Sequence, residues 1–104
     1  MNKRILDPRR VRTPPREGFW WVDRRFFREH AAHLSREAVL LYLFLCSVSD
    51  RLGLSFWREE STAAWLRTTP ALVARAREAL EVRDLVAHEA PLTQVLSLPD
   101  GGRS

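Results

Sequence analysis

The sequence predicts a mainly α domain, a three-helix core closed by a small β-hairpin. Three observations predict it. From Ala38 to Val48 only Ser47 is clearly polar, which suits a helix covered on several sides. A Thr68-Thr69-Pro70 turn separates a short helical pattern from a longer one. Leu85-Val86, and then Gln94-Val95-Leu96-Ser97-Leu98, follow as short strand patterns.

Taken in order, residues 1–18 contain Pro8, Pro14 and Pro15 among Arg9, Arg10, Arg12 and Arg16. Three prolines and few apolar residues predict a basic extended or disordered arm. Phe19-Trp20-Trp21-Val22 predicts a short strand or extended segment, and with Phe26-Phe27 it is expected to pack across the central helix. Ser35 is an N-cap candidate ahead of Arg36-Glu37-Ala38. The helix over 35–48 carries Ala38, Leu41, Tyr42, Leu45 and Val48 on one face. Val39, Leu40, Leu43, Phe44 and Cys46 lie on another. So apolar a helix needs more cover than 104 residues readily supply, and a homodimer through it is expected.

Gly53 suits a left-handed turn after Ser49-Asp50-Arg51-Leu52, and Leu54-Ser55-Phe56-Trp57 is a weak strand candidate. Residues 60–66 form the first short helix, with Trp65 expected in a core-facing slot. Thr69 can cap the next helix and Pro70 can open it at the position where its missing N–H costs nothing. Val73, Ala76 and Leu80 recur at helical spacing over 70–82. Residues 85–87 and 94–98 are the hairpin strands, and 100–104 a polar tail. The domain proper is therefore read as 19–99.

Helix, tight turn, helix and hairpin in that order make a winged helix-turn-helix. The chain resembles the winged-helix domains of plasmid replication initiators and of bacterial and phage regulators. The similarity runs from Phe26 to Leu98, through Leu34-Ser35, Leu40-Leu41-Tyr42-Leu43, Ser49-Asp50-Arg51 with Gly53, the Thr-Pro helix opening, Val73, Ala76, Leu80 and Leu85-Val86. The resemblance implies a DNA-binding protein acting in transcriptional regulation or in replication of a bacterial or mobile-element genome. It departs from the family pattern at several positions. The second helix opens with Ala71, Leu72 and Ala74, and Arg75 is its first long polar side chain. Arg77 stands where the pattern usually has Leu, Asp84 where it commonly has Gly, and the short wing carries His88 and Glu89.

Charge refines the expectation. The net charge is +4 and the pI about 10.5, consistent with a polyanionic partner. Residues 1–33 hold nine Lys or Arg against four Asp or Glu, whereas residues 60–104 hold five against six. The arm, not the second helix, therefore concentrates the cations. The expected contacts to double-stranded DNA are Arg67, Thr68, Thr69, Ala71, Leu72 and Arg75 from the helix-turn-helix, with Arg9, Arg10 and Arg12 from the arm. The competing expectation is a winged helix used for protein–protein interaction or dimerisation, with Ala71 and Leu72 exposed to a partner. A larger partner protein is left open.

Other classes find little support. No nucleophile motif, Gly-rich phosphate loop or catalytic carboxylate pair is present, so no enzyme is expected. His30, His33 and His88 lack Cys or carboxylate companions at ligand spacing, so neither metal nor cofactor is expected. The single Cys46 is read as a small buried apolar group. Without a signal peptide or membrane span, a cytoplasmic protein is expected.

Overall fold

The computed structural model describes residues 3–99. Helix α1 (Arg36–Val48) is followed by strand β1 (Leu54–Phe56), helices α2 (Glu59–Leu66) and α3 (Pro70–Val82), and strands β2 (Val86–Glu89) and β3 (Leu92–Val95). The strands form one antiparallel sheet in the order β1-β3-β2. The protein is thus mainly α with a small three-stranded sheet. The hairpin is tighter than the sequence suggests. β2 and β3 pair from Val86 with Val95 to Glu89 with Leu92, leaving only Ala90-Pro91, joined by a cis peptide bond, at the turn.

Helices α1 and α3 begin where a hydroxyl caps them. The Ser35 hydroxyl accepts the Ala38 N–H at 3.1 Å, and the Thr69 hydroxyl accepts the Leu72 N–H at 3.2 Å, with Pro70 at the first helical position. Helix α2 lacks a side-chain cap, but Glu59 and Glu60 in its first turn favour the positive end of its dipole.

The core forms around α1. Leu41, Tyr42, Leu45 and Cys46 are buried against Val73, Ala76 and Leu80 of α3, with Ala63, Leu85, Val86 and Leu98 closing the ends. Leu41, Leu80 and Leu85 are among the largest fully buried side chains, each worth about 1.5–3 kcal/mol of burial free energy. From the N-terminal side, a five-residue π-type turn, Phe26–His30, places the fully buried Phe26 ring on Tyr42, with centroids 4.0 Å apart and planes 10° apart. Burial raises the Cys46 thiol to about 11, so it stays protonated at neutral pH and behaves as an apolar group.

Of the two alternatives for residues 19–22, no strand forms. Two expectations need correction. Among the aromatics expected to pack across α1, Phe26 and Trp20 do so, whereas Phe19, Trp21 and Phe27 stay exposed. Trp65 is not in the core but 69 % exposed. α2 turns Thr62, Ala63 and, in part, Leu66 inward, and Trp65 falls off that stripe. The half-buried Trp57 packs instead, edge-on to Phe44 with centroids 5.0 Å apart.

Gly53 lies at φ +84°, and its missing side chain lets the Val95 carbonyl approach. The Val95 N–H donates to the Gly53 carbonyl at 2.8 Å, which anchors β3 to the end of the loop after α1. Gly53→Ala therefore combines left-handed strain with a backbone collision. It is expected to cost about 1–3 kcal/mol of unfolding free energy in a urea titration.

Candidate nucleic-acid interface

Helix α3 commits Val73, Ala76 and Leu80 to the core and leaves Ala71, Leu72, Arg75, Glu78 and Val82 exposed. Successive members of the set 71, 75, 78, 82 are three or four residues apart, one stripe on the side away from α1. Arg75 and Glu78 cancel in charge, and Val82 is 85 % exposed, so the stripe is neutral and partly apolar.

The turn between α2 and α3 brings more polar groups to the start of this stripe. Arg67 adopts the left-handed conformation, φ 57° and ψ 47°, and its N–H bonds back toward Ala63 and Ala64. The Thr68 N–H donates to the Ala63 carbonyl at 2.9 Å, completing the helix end. The Arg67 side chain is exposed and makes no hydrogen bond or ion pair among the described residues, and the same is true of Arg75. Thr68 is half-buried; the Thr69 hydroxyl is already used as the cap.

The other two arginines of this region are held by the fold. The Arg77 guanidinium donates to Glu59 Oε1 at 2.9 Å and to Glu81 Oε1 at 3.0 Å, tying α2 to α3. Its side chain is only 19 % exposed, and Nε is buried without a protein partner. Burial disfavours its charge, but the two carboxylates prevail and raise its pKa. Glu59 stands eighteen residues away, so this tie has no local sequence signal. The Arg83 guanidinium donates from Nε to His30 Nδ1 at 3.2 Å and to the Glu29 carbonyl at 3.3 Å. The N-terminal segment therefore meets α3 at its C-terminal end, through Arg83. Arg25 pairs with Asp23 at 2.9 Å.

The arm carries Arg9, Arg10 and Arg12 far from any packing. Residues 3–19 are exposed throughout, with a 3-10 turn at Pro8–Arg10 capped by Asp7 and a second turn closed by the Gly18 N–H on the Pro15 carbonyl at 3.1 Å. The wing offers little cationic chemistry. His88 Nδ1 lies 2.9 Å from the Thr93 hydroxyl, which engages it within the sheet, while Glu89 is exposed at the tip. Among the described residues, no three His, Cys, Asp or Glu side chains cluster to hold a metal ion, and no helix is long and apolar enough to cross a membrane.

Compared with known proteins, the chain matches no family model, no curated protein and no solved structure. The interface is therefore judged on its geometry alone.

His30 gives this region a pH dependence. It is buried, its Nδ1 accepts from Arg83, and the proton must then sit on Nε2 in a neutral ring. Desolvation, then the charge of Arg83, lowers its pKa below the usual 6.5, with Arg25 and His33 adding to the effect and Glu29 opposing it. A depressed folded-state value means that this stabilisation is complete above pH 6.5 and is lost as pH falls below that. Urea midpoints should therefore drop on going from pH 7.5 to pH 5. His30→Gln, which can accept the same bond without titrating, should flatten that part of the profile.

Breaking the inter-helix tie gives a second check. Arg77→Ala strands two carboxylates at the α2–α3 contact and should reduce unfolding free energy by about 1–3 kcal/mol in denaturant titrations.

Proposed function

We propose that the protein is a winged helix-turn-helix that binds double-stranded DNA with α3 and the turn before it. By its sequence resemblance, it acts in transcriptional regulation or replication of a bacterial or mobile-element genome. One observation carries the reading: of the arginines from the turn to the end of α3, Arg77 and Arg83 are consumed by the fold, whereas Arg67 and Arg75 are exposed and make no hydrogen bond or ion pair among the described residues. A free arginine fork matches phosphate oxygens and the guanine O6 and N7 pair.

Arg67 strengthens the case. Its left-handed backbone is one that glycine adopts without steric cost, and its side chain is exposed. A long cation at a position where glycine would be less strained supports a contact outside the chain. In this reading Thr68, Thr69, Ala71 and Leu72 line the approach of α3 to the groove, and Thr69 offers a backbone N–H toward phosphate. Arg9, Arg10 and Arg12 on the exposed arm supply sequence-independent attraction.

The dimer belongs to the same proposal. Along α1 the residues Val39, Leu40 and Leu43, with Ala31 and Leu34, line a shallow apolar groove, and Leu40 is 47 % exposed. A second copy seated there would cover the side of α1 that the fold leaves open and would set two α3 helices on one duplex.

A second reading has its own observation. The outward stripe of α3 has no net charge and displays Leu72 and Val82, which favours a protein partner over a phosphate groove. The two readings separate in one binding series. For DNA, Arg75→Ala should abolish sequence preference, and alanine at Arg9, Arg10 and Arg12 together should weaken all duplexes alike. The arm variant should also reduce the slope of log K against log salt by roughly three. Arg67→Gly should hold or raise the urea midpoint while reducing duplex affinity. If these variants bind duplex at low salt as the parent chain does, the protein-partner reading replaces the DNA reading.

A further inference from the structure

A second surface, built by the segment before α1, carries an arrangement of rings and cations that the exposed stripe of α3 does not use. Between Arg16 and Arg28, Phe19, Trp21 and Phe27 are exposed. Trp21 is 61 % exposed and Phe27 57 % exposed, well above what core packing allows. Both are braced from beneath. Trp21 stacks on the half-buried Trp20 with centroids 5.6 Å apart and planes at 25°. Phe27 meets the buried Phe26 edge-on at 5.2 Å, and Phe26 in turn stacks on Tyr42. Rings held by other rings are fixed in orientation, so a flat ligand that stacks on them orders little else.

Behind Trp21 lies a cleft of about 260 Å³ between Trp20, Trp21, Tyr42, Arg25, Arg51 and Leu98. Its volume and its aromatic wall suit one flat heterocycle inserted edge-first. The surrounding cations are available. Arg16, Arg24, Arg28 and Arg51 are exposed and make no ion pair or hydrogen bond among the described residues. The neighbouring acids are largely occupied. Asp23 is held by Arg25, which lowers its pKa, and Asp50 accepts the Leu52 and Leu54 N–H groups at 2.8 and 3.0 Å. Glu17 and Glu29 remain exposed and oppose the field in part.

We propose that this braced aromatic surface binds single-stranded DNA, with one unstacked base in the cleft against Trp20 and Trp21 and the phosphate chain along Arg24, Arg28 and Arg51. Stacked rings flanked by unpaired arginines are the general means by which proteins hold unpaired strands, because every base presents a π-face and every linkage a negative charge. A duplex cannot use the cleft, since its bases are already stacked on each other. This site stands apart from the α3 reading: either can fail without the other.

The test is a fluorescence titration of the full chain with fifteen-residue oligo(dT), its oligo(rU) counterpart, and a duplex of equal length. Oligo(dT) should quench tryptophan emission saturably and weaken with added salt. Trp21→Ala and Phe27→Ala, both at exposed positions and checked for folding by circular dichroism, should each reduce oligo(dT) affinity roughly fivefold or more while leaving duplex affinity unchanged. Arg24→Ala with Arg28→Ala should lower the salt slope for oligo(dT). The proposal is overturned if oligo(dT) does not saturate the signal, or if the ring variants bind it as the parent chain does. Tenfold tighter binding of oligo(rU) would overturn the assignment to DNA, and Trp21-dependent binding to anionic vesicles in place of oligo(dT) would make the surface a membrane contact.

Discussion

Everything in the fold follows from the need to cover α1. Leu41, Tyr42, Leu45 and Cys46 cannot stay in water, and α3 supplies the largest single cover through Val73, Ala76 and Leu80. α3 has only one apolar stripe of that kind, so packing it inward fixes the rotation of the helix. Ala71, Arg75, Glu78 and Val82 are then left outward. The exposed face of α3 is thus not a separate feature of the protein but the other side of its core. The same demand explains the N-terminal aromatics: Phe26 on Tyr42 covers what α3 and the sheet do not reach.

Two polar ties hold this arrangement in register, and both use arginines that the composition alone would assign to a binding surface. Arg77 joins Glu59 and Glu81 across α2 and α3, and Arg83 joins the end of α3 to His30 and Glu29. Once those are set aside, the acidic balance after residue 60 reads differently. Glu59 and Glu81 are spent within the fold, and Arg67 on the turn and Arg75 on α3 remain exposed. The neutral charge of the α3 stripe remains, which is why attraction to DNA in the proposed function depends on the arm as well as on the helix.

Local signals were legible in the sequence wherever the chemistry is local. Ser35 and Thr69 cap their helices because a hydroxyl three residues ahead of an N–H is a short-range geometry. Gly53 marks a left-handed turn for the same kind of reason. Trp65 was misplaced because an eight-residue helix has too few turns for its apolar period to show which side faces the core. The Glu59 partner of Arg77 and the Arg83 partner of His30 carry no local signal because they lie eighteen and fifty-three residues away, joined only by packing. The π-type turn at Phe26–His30 has no sequence signature in this chain, and the exposed side of Trp21 became readable only with Trp20 seated beneath it. The candidate site residues of the turn and α3 do lie together, whereas Arg9, Arg10 and Arg12 stand on an arm with no packing to place them.

The central claim is that the outward side of α3 and its preceding turn meet duplex DNA. Amide chemical-shift mapping of the labelled protein with a short duplex tests it most directly. The account predicts that shifts concentrate between residues 67 and 75, with smaller changes in the arm and none in the α1 interior at Leu41 and Leu45. Shifts confined to other surfaces, with residues 67–75 unmoved at saturating duplex, would contradict it.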